Sequence, residues 1–160
     1  MISITTNNII SIISIIIQSL IAIWVVKTLQ RRLAKQRYLK EHLIQEVKLI
    51  KDEYKTFLQN LQTGRIRPKY VAPFFKLMNT KIEDLNEIMD LKYDFDKYEL
   101  KEYHIEIRNL VTNIEEFNNN YMDNELIELD DESLNKLILF QQNNYCKFNK
   151  TIVKINDNKN

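Results

Sequence analysis

The sequence is poor in everything that makes turns. Its 160 residues include one glycine, Gly64, and two prolines, Pro68 and Pro73. Hairpins and tight turns draw on glycine because it reaches positive φ without strain. Their scarcity argues against a β-rich fold. It also excludes the glycine-dependent phosphate motifs, since neither G-x-G-x-x-G nor a Walker A loop can be written with one glycine. Cysteine appears once, at Cys146, so no internal disulfide can form.

Histidine is nearly as scarce. His42 and His104 are the only two. His104 opens a "HIE" triplet, the first half of a zinc deaminase signature, but the P-C-x-x-C half is missing. H-E-x-x-H is absent, and so is the Glu-x-x-His pair of a di-metal bundle. Cys146 has no companion for a cysteine-rich metal site. A Cys146–His104 nucleophile pair would need the fold to bring the two together, and "NYCKFN" supplies no elbow. A small buried thiol is the simpler expectation for Cys146. The paired acids Glu115–Glu116 and Asp130–Glu132 read as a solvated face or a helix start. The chain is therefore expected not to be an enzyme and to need no cofactor or metal.

Charge is scarce at one end and crowded elsewhere. Net charge is +1, but residues 1–81 carry 14 Lys/Arg and 4 Asp/Glu, a net of +10. Residues 82–132 carry 4 and 17, a net of −13, and residues 133–160 carry 5 and 1, a net of +4. The acidic stretch repels nucleic acid and membrane and is expected to dock a basic partner or the basic helix of a second copy.

What the sequence does have is a long apolar run. Ile9 to Val26 is 18 residues without a charge. As a helix that is about 27 Å, close to a bilayer core. Trp24 suits an interface. Lys27, Arg31, Arg32, Lys35, Arg37 and Lys40 follow with no acid before Glu41. The positive-inside rule then places the N-terminus outside and the rest in the cytoplasm of a single-pass protein of the cell (inner) membrane. A cleaved signal peptide would need a basic lead and a small-residue cleavage site, and residues 1–8 contain no Lys or Arg. The six cations also suit anionic headgroups at about 1 kcal/mol each.

Polar residues interrupt the run on one side. Asn7, Ser11, Ser14 and Gln18 step by 4, 3 and 4 and share an arc of about 60° on a helix. Such a stripe can pack spans together, and with four or more copies it can line a water-filled path. It can also be tolerated in a lone span, because serine bonds back to its own helix.

Beyond the cationic stretch the apolar spacing stays helical. Leu43, Val47, Ile50, Tyr54, Phe57 and Leu61 step 4, 3, 4, 3, 4. Nothing breaks the helix before Gly64, so the span is expected to run on to Gln62 with Gly64 as a left-handed cap. Helices follow over 74–91 (Met78, Ile82, Leu85, Met89), 94–121 (Tyr103, Ile107, Leu110, Ile114, Phe117, Tyr121) and 132–155 (Leu134, Ile138, Gln141, Tyr145, Phe148, Ile152, Ile155). Ser133 is expected to cap the last. The fold class is thus all-α: one transmembrane helix continuing into an antiparallel cytoplasmic bundle of about four helices. The divisions are 1–26 for tail and span, 27–40 for the basic juxtamembrane helix, 41–155 for the bundle and 156–160 for a disordered tail. The link "GRIRPKYVAPFFK" sets Arg65, Arg67, Lys69 and Lys76 beside Tyr70, Phe74 and Phe75, which suits charge-and-stacking contact with a nucleotide or single strand. The other reading is a loop whose aromatics pack on the bundle.

The Ile-rich span with Ser11, Ser14 and Gln18, the flank "KTLQRRLAKQR" and the all-helical remainder resemble small membrane effectors of bacterial anti-phage defence systems, Hailong-type channel effectors among them. The resemblance covers the whole chain in outline. It implies a homo-oligomeric channel or membrane-disrupting effector in antiviral defence, controlled through the bundle by a partner or ligand. The rival expectation is a single-span anchor whose bundle recruits a cytoplasmic protein.

Overall fold

The computed structural model describes residues 6–93, 99–119 and 125–157, and its described residues are helical apart from short links. Helix α1 is Thr6–Gln62, α2 is Val71–Tyr93, α3 is Glu99–Thr112, α4 is Glu115–Asn119, α5 is Asp131–Asn144 and α6 is Cys146–Asp157. A single 3-10 turn, Pro68–Tyr70, precedes α2. No strand occurs among the described residues. The all-α expectation holds, and α1 is helical without interruption through Lys27–Lys40. The chain divides into two units, Met1–Glu41 and His42–Asn160.

The second unit is a helical bundle. Its core takes Leu43, Val47, Ile50, Tyr54, Phe57 and Leu61 from α1, the seam that the 4-3 spacing marks. Met78, Ile82, Leu85 and Met89 of α2 are buried too. Helix α3 packs against α2 on one side and against α5 and α6 on others. It contributes Leu100, Tyr103, Ile107 and Val111 to the core.

The end of α1 is set by Gly64. Its φ of 62° lies where only glycine is unstrained. The N–H of Gly64 then donates to Leu61 O (3.2 Å) and that of Arg65 to Asn60 O (2.8 Å), the two bonds of a Schellman cap. Helix α2 starts at Val71, three residues before the expected start at 74. Pro73 does not prevent this, because it occupies the first turn, where its missing N–H has no helical partner to lose.

The stretches expected as one helix each over 94–121 and 132–155 are both interrupted. The first breaks at Asn113–Ile114, where the Thr112 hydroxyl donates to Arg108 O and Ile114 N–H turns back to Val111 O. Threonine and asparagine favour such local bonds over helix continuation. Residues 94–98 and 120–124, Tyr121 among them, lie outside the described residues. The second run pauses for one residue, Tyr145, which keeps helical angles (φ −56°, ψ −30°). Asp130, not Ser133, caps α5: its carboxylate accepts from Ser133 N–H at 2.7 Å. Asn156 and Asp157, expected in the tail, still belong to α6.

The C-terminal seam departs from expectation in part. Phe148 and Ile155 are buried as expected, but Leu137 and Thr151 are buried as well, whereas Ile138 is 37% and Tyr145 59% exposed. Cys146 is exposed rather than buried.

The segregated charges are partly paired inside the bundle. Lys147 and Lys154 of α6 meet Glu106 (3.0 Å) and Glu99 (2.8 Å) of α3. Lys101 of α3 meets Glu83 of α2 at 3.6 Å, and Lys81 of α2 pairs with Glu53 of α1. Acids that read as a dock for an outside partner thus serve, at Glu99 and Glu106, to seat the protein's own basic last helix. Each exposed pair contributes at most about 1 kcal/mol, so their main effect is on register.

Candidate functional site

The described part of the first unit is the N-terminal part of α1. Its large side chains from Ile9 to Val26 are all exposed, and none of the most apolar 18-residue window is buried. Monomeric soluble proteins rarely leave so continuous an apolar surface uncovered. By length and composition this helix is able to cross a membrane.

Ser14 and Gln18 of the polar stripe meet across one turn of α1. The Gln18 Nε2 donates to Ser14 Oγ at 3.4 Å, one turn away. The bond is long, and the Gln18 carbonyl oxygen accepts none from the described residues. Ser11 is exposed on the same helix. Asn7 lies in α1, and its side chain is outside the described residues. Off the stripe, the Ser19 hydroxyl donates to Ile15 O (2.8 Å) and that of Thr28 to Trp24 O (2.8 Å). Those two hydroxyls are satisfied within the helix; the Gln18 amide is only partly so.

Lys27, Arg31, Arg32, Lys35 and Arg37 are exposed and Lys40 is half-buried. Arg65 and Arg67 stand in the link after Gly64, and Lys69 and Tyr70 in the 3-10 turn. All four side chains are exposed, with Lys69 Nζ 5.2 Å from the Tyr70 ring centre. They do not line any of the cavities described below. Phe74 and Phe75, adjacent in sequence, turn inward: Phe74 stacks on Phe57 with centroids 4.0 Å apart, and Phe75 is buried.

The bundle holds two features that the sequence does not announce. The first is a buried polar pair. Tyr54 Oη lies 2.6 Å from His104 Nδ1, and both residues are only 1% exposed. Rings surround them: Tyr54 meets Tyr103 edge-on at 5.1 Å and Phe74 at 5.6 Å, and Phe75 meets His104 at 5.8 Å. Burial pushes the Tyr54 phenol well above its ordinary pKa, helped by Tyr103 and Glu53. Burial likewise pushes the His104 imidazole down, helped by Arg108 and opposed by Glu83. Both groups are then neutral near pH 7. With the phenol donating to Nδ1, the imidazole proton sits on Nε2, which has no partner among the described residues.

The second feature is a set of cavities. One of about 340 Å³ opens between α2 and α3, with Phe75, Lys76 and Asn79 on one side and His104, Arg108 and Thr112 on the other. The α3 residues are spaced i, i+4, i+8 and so share one face. A second, of about 220 Å³, lies on the far side of Tyr54 and is lined by Lys51, Gln62, Tyr103, Gln141 and Tyr145. There Lys51 Nζ sits 4.1 Å over the exposed Tyr145 ring. A third, of about 460 Å³, is an apolar groove edged by Asp52 and Glu53.

Sequence reasoning set His104 aside for want of a second ligand. Its actual partners stand 50 positions back at Tyr54 and on the facing α2, so no local motif could reveal them. The one available signal was the His104–Arg108–Thr112 spacing on a helix face. No group of three or more His, Cys, Asp or Glu side chains able to hold a metal occurs among the described residues.

Comparison with protein-family models, curated proteins and solved structures gives no match to this chain.

Proposed function

We propose that this protein is a single-pass membrane protein, N-terminus outside, whose span self-associates and whose cytoplasmic bundle controls the assembly. The assembled form is a channel or membrane-disrupting effector of the kind the sequence resembles. The observation that carries the reading is the surface of Ile9–Val26: an unbroken apolar helix, wholly uncovered, with one half-satisfied amide on its polar stripe. In lipid an unpaired amide costs a few kcal/mol. A neighbouring span that offers its own Ser14 or Gln18 removes that cost.

The test is native mass spectrometry of the full-length protein in lipid nanodiscs. One span cannot enclose a pore, so a monomer ends the channel reading. A defined ring of four or more copies supports it, and Gln18→Leu should then weaken the ring and lower ion flux at unchanged expression.

The second reading is a membrane anchor that recruits a cytoplasmic partner. It is favoured by the Ser14–Gln18 bond, which meets part of the amide's need within one helix. In that case an unrelated transmembrane segment in place of residues 1–26 preserves function; under the first reading it abolishes it.

A further inference from the structure

We propose that the cavity between α2 and α3 is a binding site for a small phosphate-bearing anion. It lies wholly within the helical unit and does not depend on how the span behaves.

The walls carry cations and no carboxylate. Lys76 enters from α2 and Arg108 from α3. Neither has a carboxylate partner among the described residues: Lys76 has no ion pair, and Arg108 donates only to Asn109 Oδ1, at 3.2 Å. Elsewhere in this bundle lysines are matched across helices, at Lys81, Lys101, Lys147 and Lys154. The nearest acid along α2, Glu83, is one turn beyond Asn79 and is paired with Lys101. Lys76 and Arg108 are exposed at the cavity rim, where an anion can meet an ammonium from one helix and a guanidinium from the other, and the Arg fork matches the oxygens of a phosphate.

His104 supplies the second observation. It is almost wholly buried, it lines this cavity, and its Nδ1 is already taken by Tyr54. The remaining ring nitrogen has no partner among the described residues and is not sealed from solvent, so a phosphate oxygen in the cavity can accept from it. Asn79 and Thr112 add a neutral amide and a hydroxyl, and Phe75 an apolar side. A volume of about 340 Å³ exceeds a bare phosphate and falls at the small end of ligand clefts. The ligand is therefore a phosphate on a small organic body.

A phosphate can also come from a lipid headgroup, and the experiment separates the sources. The full-length protein in uncharged detergent is heated with sodium phosphate, with ribose 5-phosphate, or with chloride at equal ionic strength. Either phosphate should raise the midpoint above chloride. Lys76→Gln and Arg108→Gln should each weaken the affinity about tenfold, while Lys69→Gln, outside the cavity, keeps it. A rise unchanged in both cavity variants overturns the site, and so does no phosphate-specific rise together with no movement of His104 in nanodiscs containing phosphatidylglycerol.

Histidine NMR on the unsubstituted protein gives a reading that no folding defect can blur. The groups facing His104 are Tyr54 of α1, Lys76 and Glu83 of α2, and Tyr103 and Arg108 of α3. An added anion should raise the His104 pKa against these fixed neighbours. If soluble phosphates leave His104 unmoved, a free ligand is excluded. Movement only in nanodiscs containing phosphatidylglycerol would then assign the site to a headgroup instead.

Discussion

The hydroxyl of Tyr54 and the Nδ1 of His104 meet at 2.6 Å in the middle of the bundle, across 50 positions of sequence. Two neutral polar groups are buried there among four other rings, and each is the other's only partner for that bond. Tyr54→Phe keeps the ring contacts and removes the bond. It should destabilise the bundle by about 1–3 kcal/mol, because it strands a buried acceptor. Urea titration followed by circular dichroism measures this, and an unchanged midpoint would show that the pair contributes nothing.

Acid should weaken the bundle through the same imidazole. The His104 pKa is lowered on folding, mainly by burial. The unfolded chain therefore binds its proton more readily, near the ordinary value of about 6.5. Stability is fully present above that pH and falls as pH drops towards the folded-state value. Denaturation midpoints at pH 7, 6 and 5.5 should decline, and His104→Gln should remove most of that slope.

Gly64 has room for a methyl group but not the backbone for one. A Cβ there would sit 3.6 Å from Ile127 O, an ordinary contact, so the cost is conformational. Gly64→Ala should lose about 1–2 kcal/mol, the penalty of a left-handed alanine. A loss much larger than this in chemical denaturation would point to a clash instead.

Leu137 and Ile138 are neighbours with opposite fates, 0% and 37% exposed. Leu137→Ala should cost about 2–5 kcal/mol and Ile138→Ala about 1 kcal/mol or less. Equal losses would mean that α5 sits in a different rotation.

That pair also marks where the sequence stops being legible. The α1 and α2 seams could be read residue by residue, because each keeps 4-3 spacing with no interruption to shift its phase. Across 132–155 the same method chose Ile138 and Tyr145. The pause at Tyr145 leaves the phase intact: Leu137, Gln141, Asn144, Phe148, Thr151 and Ile155 step 4-3-4-3-4 along one buried or half-buried stripe, rotated by one residue from the stripe through Ile138 and Tyr145. Apolar residues at both Leu137 and Ile138 left either face available to the pattern. The uncovered apolar helix was legible from composition alone. The cavity was half legible: Phe75 and Lys76 belong to the basic and aromatic link read as a ligand contact, but Arg108 is an unremarkable surface residue until two helices are placed side by side.

The aromatic cluster around Tyr54 has a consequence for how the chain becomes a protein. Its members arrive from residues 54, 74, 103 and 148, and Lys51 reaches Asn149 across 98 positions. Such distant partners are slow to find one another. On a ribosome, the N-terminal apolar helix is synthesised long before Phe148 exists to complete the ring. The N-terminal apolar helix is therefore complete before the bundle can be, because the core lacks a wall until α6 has been made. A chain that stops short of α6 would carry an apolar N-terminal helix attached to a core with one wall missing.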